Sequence, residues 1–192
     1  MLFRSEKNFE DELEPLIGIL AWYDIAENIL KIFMDEFTED TGKFNDSQES
    51  VAFAYLEGEL GSLKQEQGLY QKAFDYHQNS YERFLRLLGE KHIDTVDAIN
   101  NLASALMYLG RYEEALKLEE QVLTLRKKIL GAEDEETISA MNNLAMTLNA
   151  VGNKDEAQKL IKRALNLGRK FLPADDELII NMKDTYQRIV KA

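Results

Sequence analysis

The side chains able to do chemistry are few and poorly matched for catalysis. The chain has no cysteine and two histidines, His77 and His92. Disulfides, thiol nucleophiles, thiolate metal sites and iron–sulfur clusters are therefore excluded, and a multi-histidine metal site is not expected. His77 and Glu119 stand 42 residues apart, but no nucleophile or third group accompanies them. They read as a structural contact between neighbouring helices rather than an acid–base pair. No glycine-rich phosphate loop or metal-ligand spacing appears, so the expectation is a non-enzymatic chain with no catalytic residue, cofactor or metal. What remains is recognition chemistry. Asn100 and Asn142 each carry an amide that both donates and accepts. Arg86, Lys128 and Lys170, at 42-residue intervals, form a basic column. Two uses are open for that column: meeting acidic groups of a ligand, or complementing the dipole at a helix C-terminus.

Those residues sit in a chain built for helices. Of 192 residues 45% are hydrophobic and 30% charged, with two prolines and ten glycines, a composition of packed helices rather than of a turn-rich β fold or a disordered chain. The net charge is −12. Residues 1–50 hold 13 acidic and 4 basic side chains, which makes this segment the most acidic part. A field of that sign disfavours nucleic acid and anionic lipid as partners. The longest apolar run, residues 16–23, is too short to cross a membrane, and no basic start of a signal peptide precedes it. A cytoplasmic location is the expectation.

An internal repeat organises the chain. Residues 89–130 placed over 131–172 match at 17 of 42 positions, where unrelated sequences would share roughly three. Asn100-Asn101-Leu102-Ala103 falls over Asn142-Asn143-Leu144-Ala145, Gly110 over Gly152 and Ala115 over Ala157. A fainter copy precedes them, with Gly68 and Ala73 in register. Each period reads as two helices. Ile99, Leu102, Ala103 and Leu106, like Met141, Leu144, Ala145 and Leu148, follow helical spacing in the first. Ala115, Leu118, Val122 and Leu125, like Ala157, Leu160, Ala164 and Leu167, do so in the second. Gly110 and Gly152 are placed to close the first helices in a left-handed conformation, and Asp94-Thr95 and Glu136-Thr137 to supply acceptors at their starts. Small residues recur where two helices would cross closely. Neither helix can bury its stripe alone, so stacked copies must share a core.

The unit Leu88-Gly89, His92, Asp94-Thr95, Asn100-Asn101-Leu102-Ala103, Gly110-Arg111-Tyr112, Glu114-Ala115 and Arg126 resembles the tetratricopeptide repeats of kinesin light chains and their relatives. The resemblance is specific over 88–172 and weaker over 51–87. It departs at Ile93, where the family usually has proline, at Glu119, usually apolar or aromatic, and at Asp134, which replaces the histidine. It implies an all-α fold, a right-handed superhelix of helix pairs ended by a capping helix. The expected units are 51–88, 89–130 and 131–173, followed by the cap at 174–192. Residues 1–50 are expected to be an acidic helical segment. Within it, 9–37 is either a degenerate repeat, since Tyr23-Asp24-Ile25-Ala26 mimics Tyr112-Glu113-Glu114-Ala115, or a plain helical hairpin, with Trp22, Ile29, Phe33 and Phe37 facing the next unit.

In the family the first helix of each repeat lines a concave groove. Carried over, its positions are Asp97, Asn100, Ser104, Met107 and Tyr108 in one unit and Ser139, Asn142, Met146, Asn149 and Ala150 in the next. In the weak copy they are Tyr55, Gly58, Ser62, Gln65 and Glu66. Asn100 and Asn142 could hold the backbone of an extended peptide, or form an asparagine ladder between helices. The lysine and asparagine clamp for a chaperone's terminal carboxylate is absent, with Gly58 and Ser62, Asn100 and Ser104, and Asn142 and Met146 in its place. By the same resemblance Arg86, Lys128 and Lys170 border the groove and would favour acidic sequences. The expected function is binding of a protein or peptide segment, with self-association as the alternative.

Overall fold

The computed structural model describes residues 46–191 together with Ile25, Glu27, Asn28 and Ile32. The expectations for Trp22, Ile29, Phe33 and Phe37, and for 1–45 apart from those four residues, lie outside the described residues. Those described form seven helices and no strand: α1 (Asp46–Glu66), α2 (Tyr70–Leu88), α3 (Ile93–Tyr108), α4 (Tyr112–Ile129), α5 (Glu135–Ala150), α6 (Lys154–Phe171) and α7 (Glu177–Lys191). Each packs chiefly on its neighbours in chain order, and α7 also reaches back to α5. This is the stacked-pair architecture the repeat requires.

The turn inside each pair is built the same way three times. Gly68, Gly110 and Gly152 have φ of 73°, 74° and 86°. The N–H groups of Leu69, Arg111 and Asn153 donate to the carbonyls of Lys64, Leu106 and Leu148 at 2.8–2.9 Å, and those of the three glycines donate to Gln65, Met107 and Asn149. These paired bonds satisfy carbonyls that a helix end would otherwise leave open, and only glycine enters the left-handed region without steric cost.

The helix starts differ from the expectation. The caps are His92 and Asp134, two residues ahead of Asp94 and Glu136, whose N–H groups donate to His92 Nδ1 at 3.3 Å and Asp134 Oδ1 at 2.9 Å. Asp176 does the same for Leu178 N–H at 2.9 Å. Positions 92, 134 and 176 are one repeat apart, so the aspartate that replaces the family's histidine keeps its job. Thr95 and Thr137 are instead fully buried.

The core follows the repeat. Ala103, Ala115, Ala145 and Ala157 are 0% exposed, which lets helices approach closely. A continuous cluster runs from Val96 and Ile99 through Val122, Met141 and Ile161 to Ile179, Met182 and Ile189. Leu118, Leu160 and Leu167 lie at its partly covered edge. The last described helix packs closely on the one before it. A Cβ at Gly168 would come within 2.8 Å of Ile179 and 3.0 Å of Met182.

Candidate functional site

The first helices are joined to one another by side chains. Gln65 on α1 donates to Ser104 Oγ on α3 at 3.3 Å. Asn143 on α5 donates to Asn100 Oδ1 on α3 at 3.2 Å. Thr147 Oγ1 lies 3.2 Å from both Met107 Sδ and the Asn143 carbonyl. An asparagine pair therefore exists between helices, but it runs from Asn100 to Asn143. Asn142 is 6% exposed and its Oδ1 has no partner among the described residues.

Between α3 and α5 opens a cavity of about 330 Å³. Ser104, Met107 and Tyr108 form one wall, Asn143, Met146, Thr147 and Ala150 the other, and Tyr112 and Glu119 of α4 close it. Tyr108 is held in place by stacking on Tyr70, with ring centres 4.9 Å apart and planes at 12°. Ser104, Met107, Tyr108, Met146 and Ala150 thus line one cavity. Asp97, Asn100, Ser139 and Asn142 are not part of this wall. Asp97 binds Arg126.

The basic column lies elsewhere. Arg86, Lys128 and Lys170 are all exposed, and none lines this cavity. Arg86 borders a separate one of about 420 Å³ with Glu57, Asn79, Glu82 and Arg83, where Arg83 Nε pairs with Glu57 at 2.7 Å.

Two buried charged residues on α4 distinguish the region. Arg126 is 4% exposed. It donates to Asp97 Oδ1 at 2.7 Å and to the Glu136 carbonyl at 3.0 Å, and lies 3.1 Å from the Glu136 carboxylate. Glu119, two turns earlier, is 2% exposed and its Oε2 has no hydrogen-bond partner. Burial pushes its carboxyl up to about 8, against the opposing pull of Arg126. An unmatched buried polar atom of this kind costs about 1–3 kcal/mol.

The expected contact between His77 and Glu119 is not formed. His77 is 2% exposed, Nδ1 has no partner, and burial alone pushes the imidazole down to about 4. Its ring lies over Gly61, where a Cβ would come within 2.6 Å. The physical reason is the stacking order: each second helix packs on the first helices before and after it, so α3 separates α2 from α4. Sequence reasoning thus missed Glu119 as a cavity residue. Its signal was there: a carboxylate stands where the following copy has Ile161 and the family an apolar side chain.

Among the described residues no group of three His, Cys, Asp or Glu side chains could hold a metal ion, and no helix is long and apolar enough to cross a membrane.

Comparison with known proteins agrees with this geometry. The tetratricopeptide repeat family model matches twice, over residues 51–128 and 94–170. No curated protein matches the sequence. Among solved structures, BtubC (BKLC) from P. vanneervenii is similar with a TM-score of 0.77 at 17% identity, over 92% of this chain and 68% of its own. A Podosopora anserina protein with nearly identical TPR-like repeats gives 0.68 at 19% identity, over 98% and 85%. A TPR-like protein from Chlorobium tepidum gives 0.59 at 20% identity, over 76% and 99%. At these identities the likenesses speak for the fold. With helix pairs closed by the same glycine turn, and a family model spanning more than half its length, the chain belongs to the tetratricopeptide repeat family.

Proposed function

We propose that the chain is a protein-interaction module that holds a peptide or partner segment between α3 and α5. The observation that carries this reading is the cavity of about 330 Å³ there, a size suited to one large side chain or a few small ones. Its walls combine methionine and tyrosine surface with a few polar groups, the usual make-up of a site that anchors a side chain and fixes its orientation. Tyr108 is 55% and Met146 38% exposed, so among the described residues this apolar surface is left open. Asn100, whose Oδ1 accepts from Asn143 of the wall, would offer its amide N–H groups for backbone contact. Arg86, Lys128 and Lys170 lie outside the cavity and would meet acidic residues flanking the anchored one. This repeat family generally serves as scaffold rather than catalyst.

The test is a peptide-array screen against the wild type and Met146→Glu. The substitution places a charge on the apolar wall at an exposed position, where the core is untouched. Array binding is expected to fall at least tenfold, while an Arg86→Ala, Lys128→Ala, Lys170→Ala triple variant loses preference for acidic flanks only. Undiminished binding by Met146→Glu would place the ligand elsewhere.

A further inference from the structure

We propose that the α3–α5 cavity selects a partner side chain ending in a cation, lysine or arginine, whose head pairs with Glu119 at the cavity's inner end. The proposal rests on the groove reading above and adds the chemistry of its anchor.

The fold does not require a carboxylate here. One repeat later the same position is Ile161, which is fully buried, and one repeat earlier it is His77, seated over Gly61. Glu119 therefore keeps a polar head at a site an aliphatic chain fills equally well. That head is unmatched among the described residues. Oε2 accepts no hydrogen bond, and no described cation lies within ion-pair distance. Arg126 is the charged group with a field at Glu119, but its two terminal nitrogens are engaged by Asp97 of α3 and Glu136 of α5, and no hydrogen bond or ion pair joins it to Glu119. The other titratable groups near the cavity are Tyr108 of α3 and Tyr112 of α4, and neither brings positive charge. No donor among the described residues completes the site.

The path to it suits a long basic side chain. Met107 and Met146 offer polarisable surface to an aliphatic stem, and the rings of Tyr108 and Tyr112 offer faces to a cation. Burial holds Glu119 protonated at neutral pH, so pairing with a cation releases its proton to solvent, and the carboxylate then carries the bond. Affinity should accordingly rise as pH increases towards 8 and level off beyond it.

The experiment uses the full chain labelled with ¹³C at methionine methyls, Met107 and Met146 being assigned through Met107→Leu and Met146→Leu. Probes are acetylated, amidated pentapeptides of alanine with lysine, arginine, norleucine, glutamine or glutamate at the centre. Lysine and arginine peptides are expected to bind at least tenfold more tightly than the norleucine peptide at pH 7.5, and about tenfold more weakly at pH 6.5 than at 7.5. Glu119→Gln should remove both the preference and the pH dependence. Glu119→Leu, which copies the aliphatic character of Ile161, should bind norleucine instead and serves as the folded control. If norleucine or glutamine binds as well as lysine, or Glu119→Gln keeps the preference, the cation assignment falls while the groove stands. If no peptide moves either methyl, the groove reading itself falls.

Discussion

Glu119 and Arg126 sit on the same helix, two turns apart, and both are almost wholly buried, yet their surroundings are opposite. Arg126 has a carboxylate from the helix before it, and a backbone carbonyl and a second carboxylate from the helix after it, with only its Nε left without a partner among the described residues. Glu119 has an oxygen with no partner. The first is a joint: it ties α3 to the start of α5 and sets how one helix pair sits on the next. The second adds nothing to the stack that an isoleucine would not. Burial alone thus does not tell a charge that ties helices together from one that does not; the partners each one binds do.

The largest effect should come from breaking the joint. Arg126→Met is expected to destabilise the protein by about 2–3 kcal/mol in chemical denaturation. That is below the range for a fully buried pair, because Asp97 and Glu136 are half exposed and regain water. If the loss is negligible, the joint is not a joint.

The pH dependence of stability sharpens the contrast next. In the unfolded chain Glu119 loses its proton near the ordinary carboxylate value of 4.5, whereas the folded protein holds it until about 8. Stability from this group is therefore complete below the unfolded value and is lost as pH rises. His77 acts in the other direction, since its imidazole is neutral in the fold down to about 4 but takes up a proton in the unfolded chain below 6.5. The two oppose each other between 4.5 and 6.5. From 6.5 to 8 the Glu119 slope stands alone, at most about 1.4 kcal/mol per pH unit. Denaturation series at about pH 6.5, 7.25 and 8 should show stability falling in the wild type and holding level in Glu119→Gln.

The smallest change concerns the helix start that presents the Glu136 carbonyl to Arg126. Asp134→Ala removes the acceptor for Glu136 N–H and should cost about 1 kcal/mol. In a double cycle with Arg126→Met the two losses should not add, because both act on the first turn of α5. Strict additivity would show that the cap and the joint are independent.

How much of this was legible in the sequence follows from what repeats. The helix pairs, the glycine turns and the buried alanines recur every 42 residues with unchanged chemistry, so pattern alone exposed them. The caps also recur, but as His92, Asp134 and Asp176, and the nearer polar residues Asp94 and Thr95 drew the assignment two positions too far. Arg126 opens the run Arg126-Lys127-Lys128, which reads as a solvated helix end. Only the fold shows that its first member turns inward while Lys128 stays exposed. The pairing of His77 with Glu119 failed because equal register does not mean contact when another helix stands between. The cavity wall at Ser104, Tyr108 and Met146 came from the family resemblance, not from spacing.

The bonds from Gln65 to Ser104, Asn143 to Asn100 and Thr147 to Met107 have a consequence for the energetics of capture. They fix the gap between successive first helices before anything enters it, so little ordering is asked of the receptor and nearly all is asked of the guest. Tighter complexes should then come from guests already rigid in solution, by cyclisation or proline, rather than from further stiffening of the host.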